Sequence, residues 1–416
     1  MSLLCANFFS TVLYIIIAIF VLLLMVLIHE FGHYVVGRLL GFKINEFSIG
    51  FGKAIFSKVN KRGERISLRI FPLGGYCAFE GEGDDEDDSK DQKKDSNENI
   101  EEKKEEAFDL KVSNEKAEEI IQEIENIEKD KETTPVRDYK TFNEQKPWKR
   151  LLVYAAGVTF NFLSAIIFSF ILLIAFGYDI PQAVKVNPTT IQENTIIMYA
   201  QEGYELREDD VIWKVNGTKI NFAFTGTLPQ LISEIGPEKD ITLTVERDNK
   251  QIDMVIQFTV YEEGQTIADV DNAYTAKAYV HSFWEALGRS FEVAFGFAWV
   301  ILKGFWQIIT GQIAFSELGG PISTIGMITT ITQSGLVNFF ILLPLLASNL
   351  AIFNFLPIPA LDGSHAVFTL LEWIFRKPVV SRKVENYIHT YGLLALLLLV
   401  VVADIVHIIV VGFPKL

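Results

Sequence analysis

Long unbroken apolar runs dominate the chain. From Phe8 to Ile28 almost every position is apolar, and the apolar character resumes from Tyr34 to Leu40. About 20 such residues cross a bilayer core as a helix. Three further runs of this kind occupy 150–177, Leu336–Leu356 and about Tyr391–Phe413, and the Leu336 run ends at the prolines Pro357 and Pro359. A signal peptide would need a basic stretch before the first run, and no Lys or Arg precedes Arg38. The first run is therefore expected to stay as a span.

Basic residues orient these runs, because Lys and Arg gather on the cytoplasmic side of membrane helices. Arg38, Lys43 and Lys53 follow the first run; Lys146, Lys149 and Arg150 precede the second; Arg376, Lys377, Arg382 and Lys383 precede the last. Four spans with both termini outside the cytoplasm satisfy every cluster. Between the second and third spans, residues 180–280 read as short alternating strands, with Asp210–Val215 and Ile241–Glu246 the clearest and a turn at Asn216-Gly217. Residues 283–314 are aromatic and apolar but carry Glu285, Arg289, Glu292 and Lys303. That mixture suits a helix lying in the membrane interface better than a fifth span.

Charge changes the picture in one place only. Residues 80–146 hold 25 Asp and Glu against 12 Lys and Arg, so this segment carries 13 of the chain's 15 net negative charges. The rest of the 416 residues is nearly neutral, with half of the whole chain hydrophobic. A basic nucleic-acid footprint is absent. Gly81–Ile100 has too few apolar residues to bury a core. Glu115–Glu132 spaces Ile120, Ile121, Ile124 and Ile127 helically, as a docking element or as part of a solvated linker. Cys5 and Cys77 are far apart and neither has metal-ligand spacing.

Candidate chemistry lies inside the first run, at His29-Glu30-Phe31-Gly32-His33. Residues i and i+4 share a helix face, so both imidazoles can reach one metal ion, with Glu30 beside them as a base for the attacking water. Ionisable groups in an apolar helix are costly in lipid and mark function. A catalytic zinc site needs a third protein ligand and an open fourth position. Asp362, in the proline-broken stretch Asn354-Phe-Leu-Pro-Ile-Pro-Ala-Leu-Asp362-Gly-Ser-His365, is the best candidate, with His365 next. Irregular backbone at membrane depth is tolerated where it is buried in protein or lines a cavity. The topology brings both half-sites to the cytoplasmic side. A short loop or helix cap is the alternative role for Asp362.

With these residues in place, the chain resembles the site-2 protease family of intramembrane zinc metalloproteases, nearest to its bacterial branch of sigma-E regulator proteases. His29–His33 and Asn354 to Gly363 carry the likeness most strongly. Ser48-Ile-Gly50-Phe-Gly52 and Phe71-Pro-Leu-Gly74-Gly75-Tyr76 are similar to the family's re-entrant β-hairpin, Ala156-Gly157 with Asn161-Phe162 to the start of its second span, and Gly319-Gly-Pro-Ile322 to a loop before the third. Gly203–Gly217 resembles its PDZ domain. Val158 and Ser364 stand where the family usually has Pro and Gly, and Asp209 where the PDZ pattern has Gly. Room for one PDZ module points to the Gram-positive type.

The resemblance implies an α-helical integral membrane protein with four transmembrane helices, a membrane-associated β-hairpin and one extracytoplasmic PDZ-like α+β domain. The expected order is a first helix over 1–41, a re-entrant β segment over 42–80, the acidic cytoplasmic insertion 81–146 and a second helix over 147–178. The PDZ-like module over 180–262 follows, then the interfacial helix 280–316, and helices over 335–363 and 385–413. It implies Zn²⁺ held by His29, His33 and Asp362, with Glu30 as catalytic base. Asn354 would hold a substrate carbonyl, and Phe71, Gly74 and Gly75 would offer a strand edge to an unwound substrate, unless Gly74-Gly75 is only a tight turn. The expected substrates are single-pass membrane proteins, such as anti-sigma factors or signal-peptide remnants, cut after a first extracytoplasmic cleavage. The enzyme would sit in the plasma (inner) membrane with its active site near the cytoplasmic face. A metal transporter is disfavoured, because such proteins show internal repeats and several charged spans. An inert scaffold is disfavoured by the intact Glu30.

Overall fold

The computed structural model describes residues 2–82, 140–177, 180–187, 194–220, 227–237, 239–261, 273–314, 317, 319–410 and 412. Most of the acidic segment, including Glu115–Glu132, lies outside the described residues. The elements run α1 (Ser2–Leu39), β1 (Ile44–Val59), β2 (Arg65–Phe79), α2 (Pro147–Phe176), β3 (Pro181–Lys185), β4 (Ile196–Ala200), β5 (Val211–Val215) and β6 (Thr218–Lys219). They continue with α3 (Leu228–Ile235), β7 (Ile241–Arg247), β8 (Lys250–Val260), β9 (Ala273–Ala278), α4 (Phe283–Ile309), α5 (Pro321–Gln333), α6 (Leu336–Phe355), α7 (Asp362–Phe375) and α8 (Arg382–Val410).

Among the described residues, five helices are long and apolar enough to cross a membrane: α1 from Phe9, α2, α4, α6 and α8. The fifth is α4, for which the sequence suggested an interfacial position. Its small residues Ala286, Ala294 and Ala298 are buried, whereas Trp284, Phe291, Phe295, Trp299 and Trp306 face outward. Phe283 meets Phe170 and Phe295 meets Phe162, so α4 runs antiparallel to α2; Phe305 meets Phe353 of α6. Three of its four charges sit near its start, toward the β domain: Arg289 stacks over Trp213, and Glu292 pairs with Lys219 of the β domain, while Lys303 lies near its end. Phe340, near the start of α6, packs on Phe176. Helices α4 and α6 thus begin at the same end of the bundle, and the chain returns to that end between them.

The helix core is made of small and branched apolar residues: Ala18, Val21 and Met25 of α1, Ala165 of α2, Ala294 of α4, Ile328 of α5, and Leu342, Leu346 and Ala347 of α6. Small side chains let helix backbones approach closely in a membrane. Asp404 of α8 accepts the N–H groups of Gly320, Ile322 and Ser323 and so caps α5 from another helix. At the other end, Arg150, 1% exposed, pairs with Glu372 of α7. The same carboxylate accepts Arg382 of α8 at 2.7 Å, and Arg382 also pairs with Glu385. Deleting Glu372 would strand a buried guanidinium, at a cost of about 3–5 kcal/mol.

Strands β1 and β2 make more than the hairpin expected. Residues 46–49 pair with Gly75–Ala78 on one side and, in parallel register, with Arg65–Leu68 on the other, while Ala54–Val59 fold back onto Arg65–Arg69. Gly50 and Gly52, both at φ +84°, make the bend that lets one strand serve two ladders. Segment 65–69 is therefore paired on both edges, and 75–78 is the edge strand. Arg69, Ser67 and Tyr76 all donate to Glu46. Burial alone would raise the Glu46 carboxyl, but these three bonds hold it below its ordinary value.

The second sheet has seven strands in the order β3-β9-β4-β8-β7-β5-β6, and a β3–β5 contact at Gln182 and Val211 closes it into a barrel-like form. Its core gathers Met198, Leu206, Ile212, Val215, Leu243, Val245 and Phe258, with Leu228 and Ile232 of α3. Asn216 and Gly217 both have positive φ, at 47° and 77°, the type I′ signature of a tight hairpin. Asp209 adopts φ +73° where glycine would be usual. The sheet continues past residue 262, the end expected for this module, because β9 inserts between β3 and β4.

Candidate metal centre

Helix α1 presents His29 and His33 one turn apart, each 7% exposed. Asp362, the first residue of α7, comes to meet them. Its Oδ2 lies 3.0 Å from His29 Nε2 and 3.1 Å from His33 Nε2, and the two Nε2 atoms are 3.3 Å apart. Three ligand atoms bound tetrahedrally to one zinc ion, with bonds of about 2.0–2.1 Å, stand roughly 3.3 Å from one another. The triangle therefore fits a single ion. Oδ2 of Asp362 is buried with no hydrogen-bond donor, as an atom reserved for a metal should be.

Helix α2 sets the two rings. The Val153 carbonyl accepts from His33 Nδ1 at 2.8 Å, which leaves Nε2 with a free lone pair. Asn161 lies 3.1 Å from His29 Nδ1, while its own Oδ1 is buried and unpartnered. Exchanging the amide oxygen and nitrogen satisfies both facts: Oδ1 then accepts from Nδ1–H, and Nε2 is free to bind. Gly157 permits the approach of α1 to α2, since a Cβ there would stand 2.4 Å from His33 Nε2 and 2.5 Å from His29 Cε1.

Glu30 points from α1 to the edge strand of the first sheet, where its carboxylate accepts the Cys77 N–H. A Cβ at Gly75 would lie 3.4 Å from Glu30 Cγ and 2.8 Å from the Ser48 carbonyl. Burial pushes the Cys77 thiol up, so it stands beside Glu30 as a neutral side chain. Gly74 turns toward Phe51, and Phe71, 60% exposed, pairs with Phe51 across the strand. Asn354, near the end of α6 and 8% exposed, donates to the Leu350 carbonyl at 3.0 Å, which uses one of its two amide hydrogens. His365, the other candidate third ligand, stacks instead on Tyr154 and His389.

Sequence reasoning missed the orienting contacts. The Val153 contribution is a backbone carbonyl, for which residue type carries no signal. Asn161 carries a sequence signal through family likeness, and an amide in an apolar helix is itself a pointer.

A histidine pair on one helix of membrane-spanning length, met by a carboxylate from a second helix, is an arrangement that fits one zinc ion in a membrane-embedded metalloprotease. The chain belongs to peptidase family M50, whose sequence profile matches residues 17–399. It is 26% identical over 390 residues to a Fusobacterium nucleatum protein provisionally named a zinc metalloprotease, covering 94% of this chain and 96% of that one. It is 28% identical over 394 residues to a similarly named protein of Rickettsia conorii, covering 91% and 94%. Against the regulator of sigma-W protease RasP of Bacillus subtilis it is 29% identical over 418 residues, again covering 91% and 94%. The chain is accordingly a zinc metalloendopeptidase and a multi-pass membrane protein.

Proposed function

We propose that this enzyme cuts single-pass membrane proteins within their transmembrane helix, with zinc held by His29, His33 and Asp362 and with Glu30 as the general base. The observation that carries this reading is the 3.0–3.3 Å triangle of Nε2, Nε2 and Oδ2 atoms, backed by Val153 and Asn161. Zinc, when bound, polarises the scissile carbonyl and lowers the pKa of a water. Glu30 takes the proton of the attacking water and returns it to the leaving amine. The edge strand Gly75–Ala78 pairs with the substrate backbone, which must leave its helix because helical N–H and C=O groups are already bonded. Asn354 supplies its second amide hydrogen to a substrate carbonyl.

In this reading α1, α2, α6 and α8 make four net crossings, with both termini and the β domain outside and the metal centre near the cytoplasmic face, as the basic clusters beside these helices support. The β domain is a single PDZ-like module extending to β9. The name of RasP makes anti-sigma factors the first substrate class to try, with signal-peptide remnants next, each after a first outer cleavage.

The test is cleavage of a model single-span substrate in detergent, with zinc measured in the same preparations. Glu30→Gln is expected to abolish cleavage yet keep about one zinc per chain, because Glu30 is not a ligand. His33→Ala and Asp362→Ala are expected to lose both. Stoichiometric zinc in Asp362→Ala would overturn the ligand assignment.

A further inference from the structure

Asp362 follows directly on the turn Pro357–Leu361, and helix α8 grips that turn. Ala360 sits at φ +75°, a left-handed conformation that L side chains rarely adopt. Its N–H donates to Nδ1 of His389 on α8 at 3.1 Å. Nearly one helical turn further, Gly392 lies against Pro359, where an added Cβ would stand 2.2 Å from the proline Cβ. His365, three residues beyond Asp362, lies flat on His389 with ring centroids 3.6 Å apart, and is stacked on Tyr154 at 5.1 Å. Tyr154 follows Val153, whose carbonyl holds His33. Three near-parallel rings thus join the α2 turn that orients His33 to the α7 turn that carries Asp362. Burial, and then the neighbouring His389, push the His365 imidazole down to about 4, so it stacks as a neutral ring at neutral pH.

His365, Glu385 and His389 bring their ligand atoms within 4.8 Å of one another, a spacing that by itself would suit a second metal ion. The Ala360 hydrogen bond argues against that. An accepting Nδ1 puts the imidazole proton on Nε2, which then has no lone pair to offer a metal. The rings are also only 9° from parallel, so their in-plane lone pairs run alongside each other and do not converge.

We infer that His389, with Gly392 beside it, is a positioning residue for the metal centre: α8 holds the Pro357–Leu361 turn so that Asp362 meets His29 and His33 at one point. The inference rests on the reading of Asp362 as the third ligand. It adds α8, which contributes no ligand, to the parts that set the geometry of the site.

The experiment measures zinc affinity of the full chain in detergent by chelator competition, together with thermal unfolding of the zinc-free protein. His389→Phe keeps a flat ring for the stack but has no acceptor, His389→Asn keeps an acceptor close to Nδ1, and Gly392→Ala presses on Pro359 without changing polar chemistry. Zinc affinity is expected to fall on the order of 10-fold in His389→Phe and Gly392→Ala, and to stay within about threefold in His389→Asn, as for outer partners of metal ligands. The zinc-free proteins should unfold at unchanged temperature. Should His389→Phe fail to fold, Gly392→Ala and His389→Asn carry the test. Undiminished affinity in Gly392→Ala and any folded His389→Phe protein would overturn the inference, as would losses in all three variants that track lower zinc-free stability. Asp362→Ala is run alongside: full zinc affinity there would sink the ligand reading itself, a separate outcome from failure of the seat.

Discussion

Asn161 and Gly157 show how little room the α1–α2 contact leaves around the two histidines. Gly157 has no tolerance for a side chain, because a single added carbon would overlap both imidazoles. Asn161 is needed as an acceptor, which gives a prediction about its replacements. Asn161→Asp keeps an oxygen facing His29 Nδ1 and should bind zinc at least as well as the natural protein. Asn161→Leu, similar in size but without an acceptor, should lose about 10- to 100-fold in zinc affinity, the usual cost of removing an outer partner. Zinc titration of the two purified proteins checks this, and equal affinity would mean that Asn161 does not set the His29 tautomer. Of these groups only the His29–His33 pair announces itself by spacing. Val153 acts through its carbonyl, and Gly157 matters through an absence of atoms that has meaning only opposite α1.

At the scale of elements, the pairing of the first sheet bears on where a substrate strand could add. The strand leading into the Gly74-Gly75 turn already has partners on both edges, and Arg69 bonds the Gly52 carbonyl as well as Glu46. Proline there would break the sheet itself and say little about the substrate. The free edge lies after the turn, at Gly75–Ala78, where it faces Glu30. Gly75→Ala, whose Cβ would meet the Ser48 carbonyl and Glu30, should slow cleavage by roughly 10-fold through misplacement of the edge and the base while zinc content stays unchanged. A helix-breaking residue in the substrate should recover part of the rate, since less unwinding is then required. Wild-type rates on a stable substrate helix would show that this edge is passive. The four-segment pairing was not legible beforehand: a 16-residue strand and a 15-residue strand read as one hairpin until the bend at Gly50 and Gly52 lets 46–49 serve two neighbours.

Across the whole molecule, the β domain and the metal centre sit at opposite ends of α2. Gly157 touches the histidines and Gly177 closes the helix, and those 20 residues rise about 30 Å, one bilayer core. A domain at that distance cannot touch the scissile bond, so its role would be to gate access. Its entry and exit are adjacent, because the Tyr279 N–H donates to the Ile180 carbonyl at 2.8 Å, and the domain can be excised with a short join. Removal of residues 181–278 should leave cleavage of substrates with short outer domains intact, and should admit substrates with bulky outer domains that the full enzyme refuses. A folded, zinc-loaded deletion protein that fails on short substrates would refute the gate. The deletion must reach β9, because stopping at 262 would leave an orphan strand of the sheet.

Local periodicity accounts for what could be read from the chain alone. Apolar runs of bilayer length, the i and i+4 histidines beside Glu30, and the Asn216-Gly217 hairpin each depend on residues within one or two turns of one another, so their physics is complete in a short window. The composition of α4 was equally visible, but composition does not say whether a helix with four charges lies on a membrane or packs in a bundle. The packing of α4 against α2 and α6 is visible only in the fold, through faces that have no value until a partner covers them. The same holds for the metal centre. His33 is oriented by a carbonyl 120 residues away and His29 by an amide 132 residues away. Asp362 reaches both only because α7 and α8 bring the end of a proline-broken turn to the face of α1. Such long-range convergence is set by how helices pack around small residues, which no window of sequence contains.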